Sequence, residues 1–172
     1  MKKLIFTFIL IILFYMMIAP VSSLVIPEDA LRIRVIANSN SEYDQQIKIA
    51  VKEKIQYKLY NLLKNTKGVD QAREIINLNL ENIDEEVKTT LQSYNYDLGY
   101  EINYGLNYFP SKKYKGIVYD EGYYESLVIS IGNAEGDNWW CVLFPPLCLL
   151  EAEESDDVEY TTYAKELIDK YL

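Results

Sequence analysis

The first hydrophobic pattern along the chain is continuous rather than periodic. Met1-Lys2-Lys3 leads into an apolar or aromatic stretch from Leu4 to Ala19, interrupted only by Thr7 and closed by Pro20. A short basic start before an apolar middle reads as an export signal, and Val21-Ser22-Ser23 offers small residues for a cut before Leu24. The run also meets the lower limit for a spanning helix, about 17 residues. Residues 1–23 are therefore read as a signal peptide or an N-terminal anchor. No cysteine follows the run closely, so this end has no acceptor for a lipid.

Beyond it the pattern becomes periodic. In Leu31-Arg32-Ile33-Arg34-Val35-Ile36-Ala37 the apolar residues alternate with two arginines, which predicts a strand with Leu31, Ile33 and Val35 inward and the arginines outward. Asn38-Ser39-Asn40-Ser41 suits a tight turn, and Ser41 with Asp44 three places later resembles a capping box. From Tyr43 to Leu63 one helical stripe carries Ile47, Val51, Ile55, Leu59, Leu62 and Leu63. Asn65-Thr66-Lys67-Gly68 breaks it, and Val69, Ala72, Ile76, Leu80, Ile83, Val87 and Leu91 mark a second long helix.

After Asn95 the period falls to two. Tyr100, Ile102, Tyr104, Leu106 and Tyr108 alternate with Glu101, Asn103, Gly105 and Asn107, a strand with one wet face. A loop over residues 109–123 follows, then a strand through Leu127, Ile129 and Ile131. Residues 132–138 have the length of a hairpin turn, and a last strand begins at Trp139. Beyond Cys148 the chain turns acidic, with Glu151, Glu153, Glu154, Asp156, Asp157 and Glu159, before a short amphipathic segment containing Tyr163, Leu167, Ile168 and Tyr171. The charge run reads as a solvated connector to a terminal helix. The expected fold is α+β, with two long helices packed on a mostly antiparallel sheet in the order β-α-α-β-β-β-α. Residues 24–150 form one extracytoplasmic domain, and residues 151–172 form the acidic connector and C-terminal helix.

Composition narrows the function. Without residues 1–23 about 150 residues remain, enough for one ordinary core. The net charge is −9, which makes nucleic acid and anionic membrane surfaces poor partners in the absence of a basic patch. Contact with a membrane is expected only through the N-terminal segment, if uncleaved. The chain contains no histidine, which removes Ser-His-Asp triads, Cys-His pairs, His-based zinc sites and imidazole bases together. Paired carboxylates or a lone cysteine nucleophile are the remaining enzymatic options, with Asp120 and Glu121 beside Gly122, and Asp137, as the loop carboxylates. Gly132 and Gly136 lack the following Lys-Ser/Thr of a phosphate loop and read as turn residues. Neither a metal site nor a cofactor or small-molecule substrate is expected.

The most unusual segment runs from Asn138 to Cys148, NWWCVLFPPLC. As a strand it places Trp139, Cys141 and Leu143 on one face and Trp140, Val142 and Phe144 on the other. Both faces are apolar, so the strand is either buried on both sides or presents one side to a partner. Two cysteines in an exported chain favour a disulfide, the alternative being two buried thiols. Seven extended steps span roughly 23 Å, whereas a disulfide needs Cα atoms within about 7 Å. A Cys141–Cys148 bridge therefore requires reversal at Pro145-Pro146.

Two blocks, LRIRVIANSNSEYDQQ over residues 31–46 and EGDNWWCVLFPPLCL over residues 135–149, resemble the stage II sporulation protein R family, and the loop from Phe109 through Glu125 is similar to it as well. Asp137 departs from the family pattern, which leads one to expect histidine there. The resemblance implies a protein made in the forespore and exported into the intermembrane space. There it would trigger a membrane-embedded aspartic protease, the sigma-factor-processing protease, to mature the precursor of sigma-E. The protease would be the enzyme, and this chain a ligand with no catalytic residues. Trp139, Trp140, Phe144 and Pro145 are the expected contact or contact-supporting residues, with Asn38 and Asn40 shaping a neighbouring surface. An envelope-associated carboxylate-dependent hydrolase and a passive structural module of the intermembrane space are the alternatives.

Overall fold

The computed structural model describes residues 29–114 and 117–145, with the backbone alone described for 112–114 and 117–119. The elements are β1 (Leu31–Ile36), α1 (Glu42–Leu63), α2 (Val69–Leu78), α3 (Leu80–Ser93), β2 (Tyr100–Phe109), β3 (Lys112–Tyr114), β4 (Ile117–Tyr119), β5 (Gly122–Ile131) and β6 (Asn138–Phe144). A four-stranded mixed sheet has the order β2-β5-β1-β6, while β3 and β4 pair as a separate two-stranded hairpin. The fold is α+β as expected, and two of the three interfaces in the main sheet are antiparallel, the β1–β5 interface alone being parallel.

The inward residues of β1 are Leu31, Ile33 and Val35, each no more than 1% exposed. Ile33 lies beside Leu127 of β5 and Cys141 of β6, and Val35 beside Ile129 and Trp139, so one apolar row crosses the central strands. On that row sits the buried stripe of α1, Ile47, Val51, Ile55, Leu59 and Leu63, joined by Ala72 and Ile76 of α2 and Ile83, Val87 and Leu91 of α3. Residues four or so apart share one helical face, so each helix contributes one apolar stripe to the core; on α1 the charged Asp44 and Lys48 are buried as well.

Several expectations are corrected. The second long helix is two helices, α2 and α3, separated by Asn79 (φ −112°, ψ 10°). Its side-chain Nδ2 donates to the Ile75 carbonyl at 2.8 Å, the local competition for backbone groups that makes asparagine a poor interior helix residue. The apolar stripe passes through this break undisturbed, because one non-helical residue hardly alters its phase. Residues 109–123 are not one loop: they contain β3 and β4, and β5 begins at Gly122. The 132–137 connection is not a hairpin turn. β1 lies between β5 and β6, so this connection crosses the end of β1. The expected terminal helix falls on residues outside those described.

Strict alternation in the last strand is also broken. Leu31 faces Phe144 but Arg32 faces Val142, a bulge that leaves Leu143 without a partner of its own. Leu143 and Phe144 are 1% and 5% exposed, and both join the helix-side core. Phe144 therefore does not share a face with Trp140.

Ile129, fully buried between β1 and β2, tests the packing. Ile129→Ala is expected to cost about 3 kcal/mol, read as a lower urea midpoint at unchanged slope.

Candidate functional site

The turn after β1 and the crossover before β6 meet at one end of the sheet, and a polar network locks them. Asn38 Oδ1 accepts from the Asn133 amide at 2.9 Å, and Asn40 Oδ1 accepts from the Asp137 amide at 2.6 Å. The Glu135 and Gly136 amides donate to the Asn38 and Ala37 carbonyls at 3.1 and 2.9 Å. Lys48 of α1 reaches the Asp137 carbonyl at 3.1 Å. Two glycines make the approach feasible. Gly132 has φ +58°, and a Cβ there would stand 2.4 Å from Asn38 Oδ1. One at Gly136 would stand 2.3 Å from the Ser39 carbonyl oxygen.

Asp44 anchors this network from the first turn of α1. Its Oδ2 accepts from Ser39 Oγ and from Asn38 Nδ2 (2.9 Å), and its Oδ1 accepts from the Tyr96 hydroxyl (2.8 Å). Ser41 caps the helix by accepting from the Asp44 amide at 3.1 Å. The reciprocal half of a capping box is absent, since the Asp44 carboxylate is engaged with the turn instead. The hydrogen bond from Ser39, then that from Asn38, lowers the Asp44 pKa to about 2 against the opposing effect of burial. Burial, and then the same carboxylate, push the Tyr96 hydroxyl well above its ordinary value.

The lock aims β6. Its tryptophans alternate across the sheet: Trp139 packs on the helix-side core with the Lys52 ammonium 5.4 Å from its ring centroid, while Trp140 faces the other way. Both rings are half-buried. Pro145 follows Phe144 through a cis peptide bond and is also half-buried. Asn38 and Asn40 thus hold the turn that leads directly into Trp139. Cys141 lies on β6 towards the core, and Cys148 falls outside the described residues.

On the face away from the helices, Arg32 and Arg34 stand among Ser126 and Val128 of β5 and Val142 and Trp140 of β6. The expectation that both arginines face water is corrected for Arg32, which is 5% exposed. Its guanidinium carbon lies 3.3 Å from the Tyr124 ring centroid, 5.7 Å from that of Phe109 and 6.0 Å from that of Trp140. A planar, weakly hydrated cation can be buried against aromatic faces in this way. Phe109 meets Tyr124 and Trp140 edge-on at 6.1 and 5.9 Å, so the end of β2 reaches over the sheet to β6. Arg34 is half-buried, and burial lowers its pKa.

A second exposed region lies where the β2–β5 ribbon outruns its helical cover. Glu125 marks the boundary, accepting from Arg73 Nε at 2.7 Å and from the Tyr104 hydroxyl at 2.9 Å. Beyond it Leu106, Tyr108 and Tyr123 are 73%, 49% and 72% exposed. Tyr108 and Tyr123 meet edge-on at 5.7 Å. The pattern of the chain points to Trp140 of the Arg32 stack but not to Arg32, Phe109 or Tyr124 as its partners, nor to this patch. The long alternation from Tyr100 to Tyr108 was the available signal for the patch.

The candidate carboxylates are not brought together. Asp120 and Glu121 are exposed ahead of β5, whereas Asp137 lies past its far end, roughly 30 Å away for a strand of ten residues. Glu53 and Glu86, with Lys54, line an open groove between α1 and α3 of about 320 Å³. Among the described residues no group of three His, Cys, Asp or Glu could hold a metal ion, and no helix is long and apolar enough to cross a membrane.

A profile of the stage II sporulation protein R family matches residues 27–154. The chain is 36% identical over 135 residues to stage II sporulation protein R of Bacillus subtilis (strain 168), an alignment covering 78% of this chain and 60% of that protein. The chain thus spans about 60% of that relative's length. No solved structure matches.

Asp44→Ala, which removes three hydrogen bonds to a buried carboxylate, is expected to cost about 3 kcal/mol in urea unfolding. Because the folded-state pKa is depressed, the stabilisation is complete above pH 3.8 and is lost as pH falls towards about 2. Asp44→Ala should flatten that part of the stability profile. Gly132→Ala, strained by its positive φ and by Asn38, should destabilise by about 2 kcal/mol.

Proposed function

The chain belongs to the stage II sporulation protein R family, and from that premise we propose that it is a secreted signal of sporulation. It acts from the forespore side of the intermembrane space on a membrane-embedded aspartic protease, which then processes the sigma-E precursor. The observation that carries this reading is the extent of the family match, which includes the whole locked end of the sheet together with β6. An N-terminal apolar run suited to export and a chain without histidine agree with a ligand rather than a catalyst.

A ligand activates a receptor by binding its active state more tightly than its inactive state, and each tenfold preference shifts the equilibrium by about 1.4 kcal/mol. That demands a rigid ligand surface, since a surface that adjusts equally to both states shifts nothing. The lock supplies rigidity: Asn38 and Asn40 fix the crossover, and the crossover fixes the start of β6. Trp139, Trp140 and Pro145 are half-buried there and form the contact, while the buried Phe144 supports it. The Cys141–Cys148 disulfide would hold the chain after β6 against the strand. The protein takes no cofactor and acts on no small molecule.

In sporulating cells, Trp140→Ala exported at the normal level is expected to reduce precursor processing at least tenfold. Ile49→Ala, on the exposed face of α1, should leave it unchanged. Normal processing with the Trp140 variant would remove β6 from the contact, and normal processing without the chain would remove the signalling role.

A further inference from the structure

The sheet ends at β2, and this edge differs in character from the rest of the surface. β2 has ten residues and, among the described residues, one ladder neighbour, β5, with which it pairs along its full length. In an antiparallel ladder the N–H and C=O groups of alternate residues point away from the neighbour, so about half of the backbone groups of β2 face outward. Edge strands are ordinarily blunted by proline, lysine or brevity. Residues 100–109 contain no proline, lysine or arginine, and their one charge is Glu101. Leu106 and Tyr108 on this strand, with Tyr123 beside them on β5, are exposed apolar side chains.

We propose that the outer edge of β2 accepts an extended strand from the protein partner, a proposal that rests on the signalling role above and adds a second contact to it. Three features define that strand. The outward backbone groups call for an extended chain running alongside, as in other β-additions. Leu106, Tyr108 and Tyr123 call for apolar residues at alternate positions near the Phe109 end. Glu101, in a chain of net charge −9, calls for a lysine or arginine near the Tyr100 end. A second copy of this chain fits less well, because it brings the same net charge of −9 against the edge. One strand edge also buries far less than the ~1,600 Å² of a standard stable interface, so it works together with the contact at β6.

The test is amide hydrogen exchange of the full chain, alone and with the detergent-solubilised protease. In the free chain about half of the amides over residues 100–109 should exchange rapidly, and those should slow at least tenfold when the protease is bound. Leu106→Asp, at an exposed position, should leave exchange in the free chain unchanged and weaken protease binding about tenfold. Protection over residues 36–45 and 132–145 with β2 unchanged would overturn strand addition and leave the signalling role intact. Absence of protection anywhere would overturn both. Protection of β2 that grows with chain concentration and needs no protease would overturn the proposal in favour of self-pairing.

Discussion

The buried Asp44 carboxylate is the constraint on which the upper end of the molecule depends. A charge out of water must have its oxygens hydrogen-bonded or it does not stay charged. Here Ser39, Asn38 and Tyr96 satisfy it, two from the turn after β1 and one from the segment between α3 and β2. The same Asn38 that donates to Asp44 accepts from the Asn133 amide, so the carboxylate is coupled through one side chain to the crossover on the far side of β1. Helix α1, the central strand and the approach to β6 are thereby held in one register. Glycine at 132 and 136 is the steric counterpart of that arrangement, because a side chain at either would collide with the turn.

With β1 enclosed between β5 and β6, the sheet has two unlike faces. One is an ordinary aliphatic core under the helices. The other is held by a cation among rings, with Arg32 under Tyr124 and close to Phe109 and Trp140. Trp140 is consequently part of a packed cluster as well as a half-exposed ring, which suits a contact residue whose geometry must not adapt. The ends of the sheet complement each other in the same sense: β6 offers aromatic side chains, and β2 offers backbone.

Much of this was legible in the residues themselves. The stripe from Ile47 to Leu63 gave α1, and the alternation from Tyr100 to Tyr108 gave β2, because each periodicity persists long enough to be unambiguous. What could not be read from local pattern is which strand lies beside which. Leu31–Ile36 shows the alternation of a half-wet strand, yet it is central, and Arg32 is buried because strands flank it on both sides. The 132–137 segment has the length of a hairpin turn, yet it bridges over β1. The break at Asn79 and the bulge that turns Phe144 inward each shift a single residue, too little to disturb a hydrophobic period. Asn38 and Asn40 stand beside the start of β6, through hydrogen bonds to the Asn133 and Asp137 amides that no local pattern encodes, and the apolar patch at Leu106, Tyr108 and Tyr123 emerges only once the extent of the helical cover is known.

The signalling role is tested most directly by adding the purified full chain to vesicles that carry the membrane protease and the sigma precursor, with the chain on the face that corresponds to the intermembrane space. Cleavage of the precursor should be low in its absence and rise, saturably, with its concentration. Cleavage that is the same with and without the chain would contradict the role of this protein as the activating signal.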